Sequence, residues 1–192
     1  MRVNEIFYSL QGEGRNTGRA AIFIRFAGCN LRCSFCDTQF NAFKEMTVED
    51  ILNSIKDFPS HFVVLTGGEP TLQIDDEFIT ALHVHDYEVA IETNGTRPVP
   101  KAIDWITVSP KEAFTGEKGT VVVKQCNEIK CVFDGIHDVN DYGIKADYKY
   151  LQPCDTGDSR KNAQINKACF NYILQHPEWR LSLQTHKMIG FR

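Results

Sequence analysis

No run of apolar residues in this 192-residue sequence approaches the roughly 20 that a membrane-spanning helix needs, so insertion into a membrane is not expected. The opening Met1-Arg2-Val3-Asn4-Glu5 lacks the basic-then-apolar pattern of a secretory leader, and the expected location is the cytoplasm. Positive charge is not in excess either. A net charge of −4 argues against direct binding to nucleic acid. Internal repeats, low-complexity tracts and Pro/Ser-rich linkers are absent, and the length suits one domain spanning residues 1–192. Disulfide-scaffold patterning is missing as well. The seven cysteines are an odd number, with three inside eight residues and four scattered, which points to a metal instead.

Apolar runs of strand length recur at 20–26, 62–65, 89–91, 105–108, 128–133, 148–151 and 180–183. Several are β-branched or aromatic and nearly continuous, as strands buried on both faces of a parallel sheet are. A short strand ending in a glycine turn is expected near residues 5–14. Helical spacing appears between some of the runs. Thr47 is placed to cap a helix carrying Val48, Ile51, Leu52, Ile55 and Phe58, ended by Pro59. Asp75 or Asp76 opens a second, with Phe78, Ile79 and Leu82. A third spans about 162–175, with Ile165, Ala168, Cys169, Tyr172 and Ile173 on one face. Strands alternating with helices predict an α/β fold with a mainly parallel sheet. Helices are fewer than strands, so any β/α barrel is incomplete. Residues 111–125 read as an exposed loop.

The segment Ala27-Gly28-Cys29-Asn30-Leu31-Arg32-Cys33-Ser34-Phe35-Cys36-Asp37-Thr38 directly follows the first strong strand. Three thiolates so spaced on a strand-exit loop can converge on one small volume, and Gly28 lets the backbone turn sharply. Thiolates are the usual ligands of iron–sulfur clusters, normally four of them. Three would leave one iron open for a substrate or cofactor. A structural zinc, with a fourth ligand from Cys126, Cys131, Cys154, Cys169 or a histidine, and three buried thiols both remain compatible with the spacing alone.

The Cys-x3-Cys-x2-Cys spacing, with Phe35 just before the last cysteine, resembles the signature of the radical S-adenosylmethionine superfamily. Thr66-Gly67-Gly68-Glu69-Pro70, leaving the run at 62–65, resembles its second hallmark. The resemblance implies a 4Fe–4S cluster on Cys29, Cys33 and Cys36, with S-adenosylmethionine chelating the fourth iron. Glu69 is then placed to accept hydrogen bonds from the methionine ammonium.

Further strings narrow the likeness: Gln11-Gly12-Glu13-Gly14, Cys36-Asp37-Thr38, Glu92-Thr93-Asn94-Gly95, Ser109-Pro110-Lys111, Gln152-Pro153-Cys154-Asp155 and the ending 181–187. Together they resemble the 7-carboxy-7-deazaguanine synthase family across essentially the whole chain. That resemblance implies conversion of 6-carboxy-5,6,7,8-tetrahydropterin to 7-carboxy-7-deazaguanine with loss of ammonia, in the route to 7-deazapurines such as queuosine. It implies a homodimer, a reduced partial barrel, a flavodoxin-type electron donor and help from Mg²⁺. By resemblance, Phe35, Cys36, Asp37, Gly68, Ser109, Pro110, Lys111, Gln152, Pro153, Cys154 and Asp155 contact S-adenosylmethionine. Thr38 is the magnesium ligand, and Leu10, Gln11, Gly12, Arg25, Thr66 and Arg192 meet the substrate.

Two glutamates carry further expectations. A carboxylate pairs well with the 2-amino and N3–H edge of a pterin, and either Glu13 or Glu92 is a candidate. Glu92, at a strand end, is also the candidate catalytic residue beside the reacting carbon. Arg25 interrupts an otherwise apolar strand near its carboxyl end. There it suits a substrate carboxylate, with an internal ion pair as the bland alternative. Cys126, Cys131, Cys154 and Cys169 read as small buried hydrophobes. Two rivals remain: an activase that installs a glycyl radical on a partner protein, and a non-catalytic zinc or iron–sulfur module. The first leaves Gln11–Gly14 unexplained and the second leaves Gly67-Gly68-Glu69-Pro70 unexplained.

Overall fold

The computed structural model describes residues 1–36 and 42–191. Asp37, Thr38 and Arg192, expected at cofactor, magnesium and substrate, lie outside the described residues.

Among the described residues nine strands form one sheet, with the order β3-β1-β2-β4-β5-β6-β7-β8-β9. They are β1 (Arg2–Leu10), β2 (Ala20–Phe26), β3 (Lys44–Glu45), β4 (Phe62–Gly67), β5 (Glu88–Thr93), β6 (Trp105–Val108), β7 (Gln125–Phe133), β8 (Lys145–Pro153) and β9 (Arg180–Leu181). From β2 through β9 every neighbour is parallel; β1 runs antiparallel to both β2 and β3. The described α-helices are α1 (Val48–Ile55), α2 (Asp76–Val84), α3 (Glu112–Thr115), α4 (Ser159–Gln175) and α5 (Thr185–Ile189), with short 3-10 turns beside them. The crossovers β5–β6 and β7–β8 contain no described helix, so the outer layer is incomplete and the barrel open, as the sparse helical pattern predicts.

Side chains point alternately to the two faces of a strand, and this period organises the interior. On the helix side, Ile22, Ile24, Phe26, Val63, Leu65, Val89 and Ile91 pack with Ile51, Ile55, Phe78, Ile79 and Leu82 of α1 and α2. The opposite face begins apolar, with Ala21, Phe23, Phe62, Val64 and Ala90 clustered together. It turns polar towards the strand ends, at Arg25, Thr66 and Glu92. Both faces are thus apolar over most of each strand, which is why these strands read as continuous apolar runs.

Local signals set the helix starts. Thr47 and Asp50 form a reciprocal capping box at α1, and Asp75 accepts the Phe78 N–H at 2.9 Å. α4 starts at Ser159, three residues ahead of the expected 162, because Asp158 accepts the backbone N–H groups of Arg160 and Lys161. Ser159, Arg160 and Lys161 carry no apolar period, so the cap alone defines that turn. The loop expected at 111–125 contains α3 and a short 3-10 turn at Gly116–Gly119.

Candidate active site

A cavity of about 770 Å³ opens at the carboxyl ends of the parallel strands, the usual ligand position in open α/β sheets. It is lined by Leu10, Gln11, Gly12, Arg25, Thr66, Cys29, Cys33, Phe35, Cys36, Gly68, Glu92, Ser109, Lys111, Gln152, Pro153, Cys154 and Asp155. Among the sequence-predicted residues that are described, Pro110 departs: it is buried and does not line the cavity.

The cysteine loop and the Gly67-Gly68 turn are built against each other. Gly67 has φ +128°, and a Cβ on Gly68 would sit 1.9 Å from the Gly28 carbonyl oxygen. The Gly68 N–H donates to Phe26 O at 3.1 Å and the Glu69 N–H to Gly28 O at 2.9 Å. What these glycines admit is therefore the backbone leading to Cys29, in addition to any ligand above Gly68.

Glu69 corrects an expectation. Its carboxylate is fully buried; Oε1 accepts from Thr71 N, Thr71 Oγ1 and Thr93 Oγ1 at 3.1, 2.6 and 2.7 Å, and Oε2 from Asn94 N at 2.8 Å. These bonds tie the end of β4 to the end of β5, so the group is spent on the scaffold instead of an ammonium ion.

All seven cysteines are thiols, not disulfides. Burial pushes up the Cys29 and Cys33 thiols, and Lys111 opposes the rise at Cys33. Among the described residues no three His, Cys, Asp or Glu side chains gather around a point suited to one metal ion. A four-iron cluster asks for something different, since each thiolate binds a separate iron atom. Three thiols on one loop, all lining one cavity, suit that donor set. Cys126, Cys131, Cys154 and Cys169 are buried as expected, and burial pushes Cys126 and Cys131 up to about 12 and Cys169 to about 11. Thiols so protonated are poor metal ligands.

The cavity floor is an ionic ring that the sequence reading missed. Lys130 on β7 is 4% exposed at its side chain; its Nζ lies 2.5 Å from Glu13 Oε2 and 3.2 Å from Glu92 Oε2. Gln11 Nε2 donates to Glu92 Oε1 at 2.9 Å, Gln184 Nε2 to Glu13 Oε1 at 3.0 Å, and the Glu13 N–H to Gln11 Oε1 at 3.1 Å. Burial opposes ionisation of Glu13, but Lys130 outweighs it and holds the carboxyl down to about 2. Lys130 is itself held above its ordinary value, burial being overcome by Glu13, Glu92 and Glu128. Two charges at i and i+2 in the run 128–133 were the available signal, since period two puts them on one face.

This geometry explains the whole Gln11-Gly12-Glu13-Gly14 string. The two polar side chains join the ring, while the glycines give up theirs. A Cβ on Gly12 would meet His186 Nδ1 at 2.4 Å, and one on Gly14 would meet Glu128 Oε1 at 2.0 Å. The Gly12 carbonyl also accepts from Thr185 N and Oγ1 at 3.0 and 2.9 Å, so α5 clasps the loop. His186 and Lys187, which their spacing left open, both line the cavity, and Lys187 pairs with Asp155 at 3.1 Å.

Arg25 does two things. Its Nε donates to Glu5 Oε1 at 2.8 Å, the internal pair considered as the alternative, while the residue still lines the cavity. Lys111 donates to Ser109 O and Oγ at 2.7 and 2.6 Å, with its pKa lowered chiefly by burial.

The model of the Radical SAM superfamily matches residues 23–113, a span from β2 to Lys111 and beyond that takes in both the cysteine loop and the Gly-Gly-Glu-Pro turn. Over its full length the chain is 49% identical to a 7-carboxy-7-deazaguanine synthase from Bacteroides thetaiotaomicron, covering 100% of this chain and 98% of the relative. The chain belongs to the 7-carboxy-7-deazaguanine synthase family. A relative of the same name from Caulobacter vibrioides is 42% identical, over 98% of this chain and 97% of its own. The crystal structure of QueE from Escherichia coli superposes with a TM-score of 0.76 at 29% identity, covering 96% of this chain and 94% of that one. The Radical SAM match stops short of Gln11–Gly14 on one side and of Lys130 and Gln184 on the other. Of the ionic floor, Glu92 therefore lies inside the superfamily segment, and Gln11, Glu13, Lys130 and Gln184 lie outside it.

Proposed function

We propose that the chain converts 6-carboxy-5,6,7,8-tetrahydropterin to 7-carboxy-7-deazaguanine with loss of ammonia, as a single-domain cytoplasmic enzyme acting in 7-deazapurine formation. The carrying observation is 49% identity across the full chain to a relative named for that product. Cys29, Cys33 and Cys36 are the proposed ligands of a 4Fe–4S cluster. A reduced cluster held there would supply the electron that breaks the sulfonium of S-adenosylmethionine, the source of the radical chemistry that would take hydrogen from C6 of the pterin. Phe35, Gly68, Ser109, Lys111 and the 152–155 stretch surround the proposed S-adenosylmethionine site, with Lys111 holding Ser109 in place. Asp37 and Pro110 stay in that proposal by resemblance alone. Mg²⁺, a hard cation that prefers oxygen ligands, is assigned to Thr38 together with substrate oxygens. A flavodoxin-type protein supplies the electron, and the enzyme acts as a homodimer.

Leu10, Gln11, Gly12, Thr66 and the chain end at Arg192 are the proposed substrate contacts. Arg25 grips the substrate carboxylate, with Glu5 fixing its guanidinium from behind. Glu92 handles the proton beside the reacting carbon, held in place by Lys130 and Gln11. Arg25→Lys should lower kcat/KM for the pterin by about 1.5–3 kcal/mol, as loss of a charge-assisted bond does. Iron content and urea stability should stay near wild type. A variant that turns over normally but unfolds readily would make Arg25 structural. The function itself is tested by anaerobic incubation with the carboxylated tetrahydropterin, S-adenosylmethionine, Mg²⁺ and a reductant. 7-Carboxy-7-deazaguanine should appear by mass spectrometry; a fully iron-loaded protein that leaves the pterin unchanged overturns the reading.

A further inference from the structure

Glu128 lies beneath the cavity floor, 2% exposed, on the same face of β7 as Lys130. The chain makes room for it: Gly14 has φ +64° and could not bear a Cβ without striking the Glu128 carboxylate. Glu128 Oε2 accepts the Arg15 N–H at 2.8 Å. Between Glu128 and the floor is a second, small space of about 10 Å³, with Gln11, Glu13, Glu92, Thr107 and Glu128 as polar neighbours and Phe62, Val64 and Trp105 among the apolar ones. That is about the room one water needs, and a buried water needs two to four polar partners, which this lining supplies.

We propose that Glu128 is a positioning residue that stores one proton beneath the floor and exchanges it with Glu92 through a water in this space. The inference rests on the synthase reading, because that reaction takes a proton from carbon and delivers one to the nitrogen that leaves as ammonia. In the exchange, the Glu128 O–H bond breaks as one forms on the water, and the water's opposite O–H breaks as its proton reaches a Glu92 oxygen. One negative charge moves from Glu92 to Glu128, and no electron is gained or lost. The proton then passes from Glu92 to the departing nitrogen, and the proton removed from carbon returns by the same route.

The electrostatics fit a stored proton. The groups around Glu128 are Lys130 and Cys126 on its own strand, Glu92 on β5, Glu13 and Arg15 on the loop after β1, and Tyr148 on β8, its partner in register. Burial pushes the Glu128 carboxyl up to about 7, Lys130 and the Arg15 N–H pulling against it and Glu92 and Glu13 adding to it. It therefore exchanges a proton near neutral pH, where Glu13 does not.

The test is Glu128→Gln, which keeps shape and size but cannot give up a carboxyl proton. In wild type, kcat should fall as pH rises through about 7, when the stored proton is lost. The variant should lose that limb and show kcat lowered by about tenfold or more, with pterin KM unchanged. Infrared difference spectra of the protein without substrate should show a buried carboxyl band that titrates in wild type and is missing from the variant. An unchanged kcat and pH profile in a wild-type-stable variant, or no titrating carboxyl band, overturns the proposal. If wild type itself makes no deazaguanine, the functional reading fails, and the infrared band separately decides whether Glu128 stores the proton.

Discussion

Lys130→Met should destabilise the protein by about 2–4 kcal/mol and abolish turnover, because it leaves two partly buried carboxylates facing each other without their shared cation. The ammonium lies 2.5 Å from Glu13 and 3.2 Å from Glu92, and its own side chain is 4% exposed. The Glu13 and Glu92 side chains are 14% and 25% exposed, so solvent in the cavity screens the remaining charges in part. Urea unfolding at neutral pH reads the loss; a change below about 1 kcal/mol would show that the ring contributes little. The pH dependence adds a signed check. A carboxyl whose pKa is lower folded than unfolded adds stability above the unfolded value and loses it as pH falls through the folded one. Glu13, ordinarily near 4.5 and held down to about 2, stabilises fully above 4.5 and loses that contribution towards pH 2. The acid limb should shrink in Lys130→Met, since the cation that creates it is gone.

Replacing Cys29, Cys33 or Cys36 with Ala should abolish activity outright. These thiols share one loop and one cavity, whereas Cys126 and Cys169 lie in the core against Ile129, Leu151 and their neighbours. Cys126→Ala and Cys169→Ala should retain near-normal iron and sulfide after anaerobic reconstitution, at a stability cost of about 1 kcal/mol for the smaller side chain. Equal loss of iron across all five variants would remove the triplet from its assigned role. Retention of zinc instead of iron would favour the non-catalytic module.

The parts of this molecule legible in sequence are those written in local or period-two patterns. The run 20–26 becomes β2 to the residue, and Thr47 and Asp75 cap the helices they were expected to cap. The cysteine loop and the Gly-Gly-Glu-Pro turn carry their own short signatures. What escaped was long-range polar pairing. Glu13 and Lys130 are separated by 117 positions, and Gln184 and Glu13 by 171, so nothing local announces them. Glu69 misled for a related reason: its partners Thr93 and Asn94 arrive from the next strand end, and only the fold shows that they use up the carboxylate. The antiparallel turn of β1 was equally silent, yet it carries Gln11 and Glu13 back under the cavity.

Whether this chain takes hydrogen from C6 of the pterin is read from substrate deuterated at that carbon. Incubated anaerobically with the reconstituted enzyme, S-adenosylmethionine, Mg²⁺ and reductant, it should yield 7-carboxy-7-deazaguanine and ammonia in equal amounts, with deuterium appearing in recovered S-adenosylmethionine, which the family resemblance implies is regenerated and not consumed. Cleavage of S-adenosylmethionine by an iron-loaded enzyme that leaves the pterin intact, its deuterium still at C6, would contradict the claim.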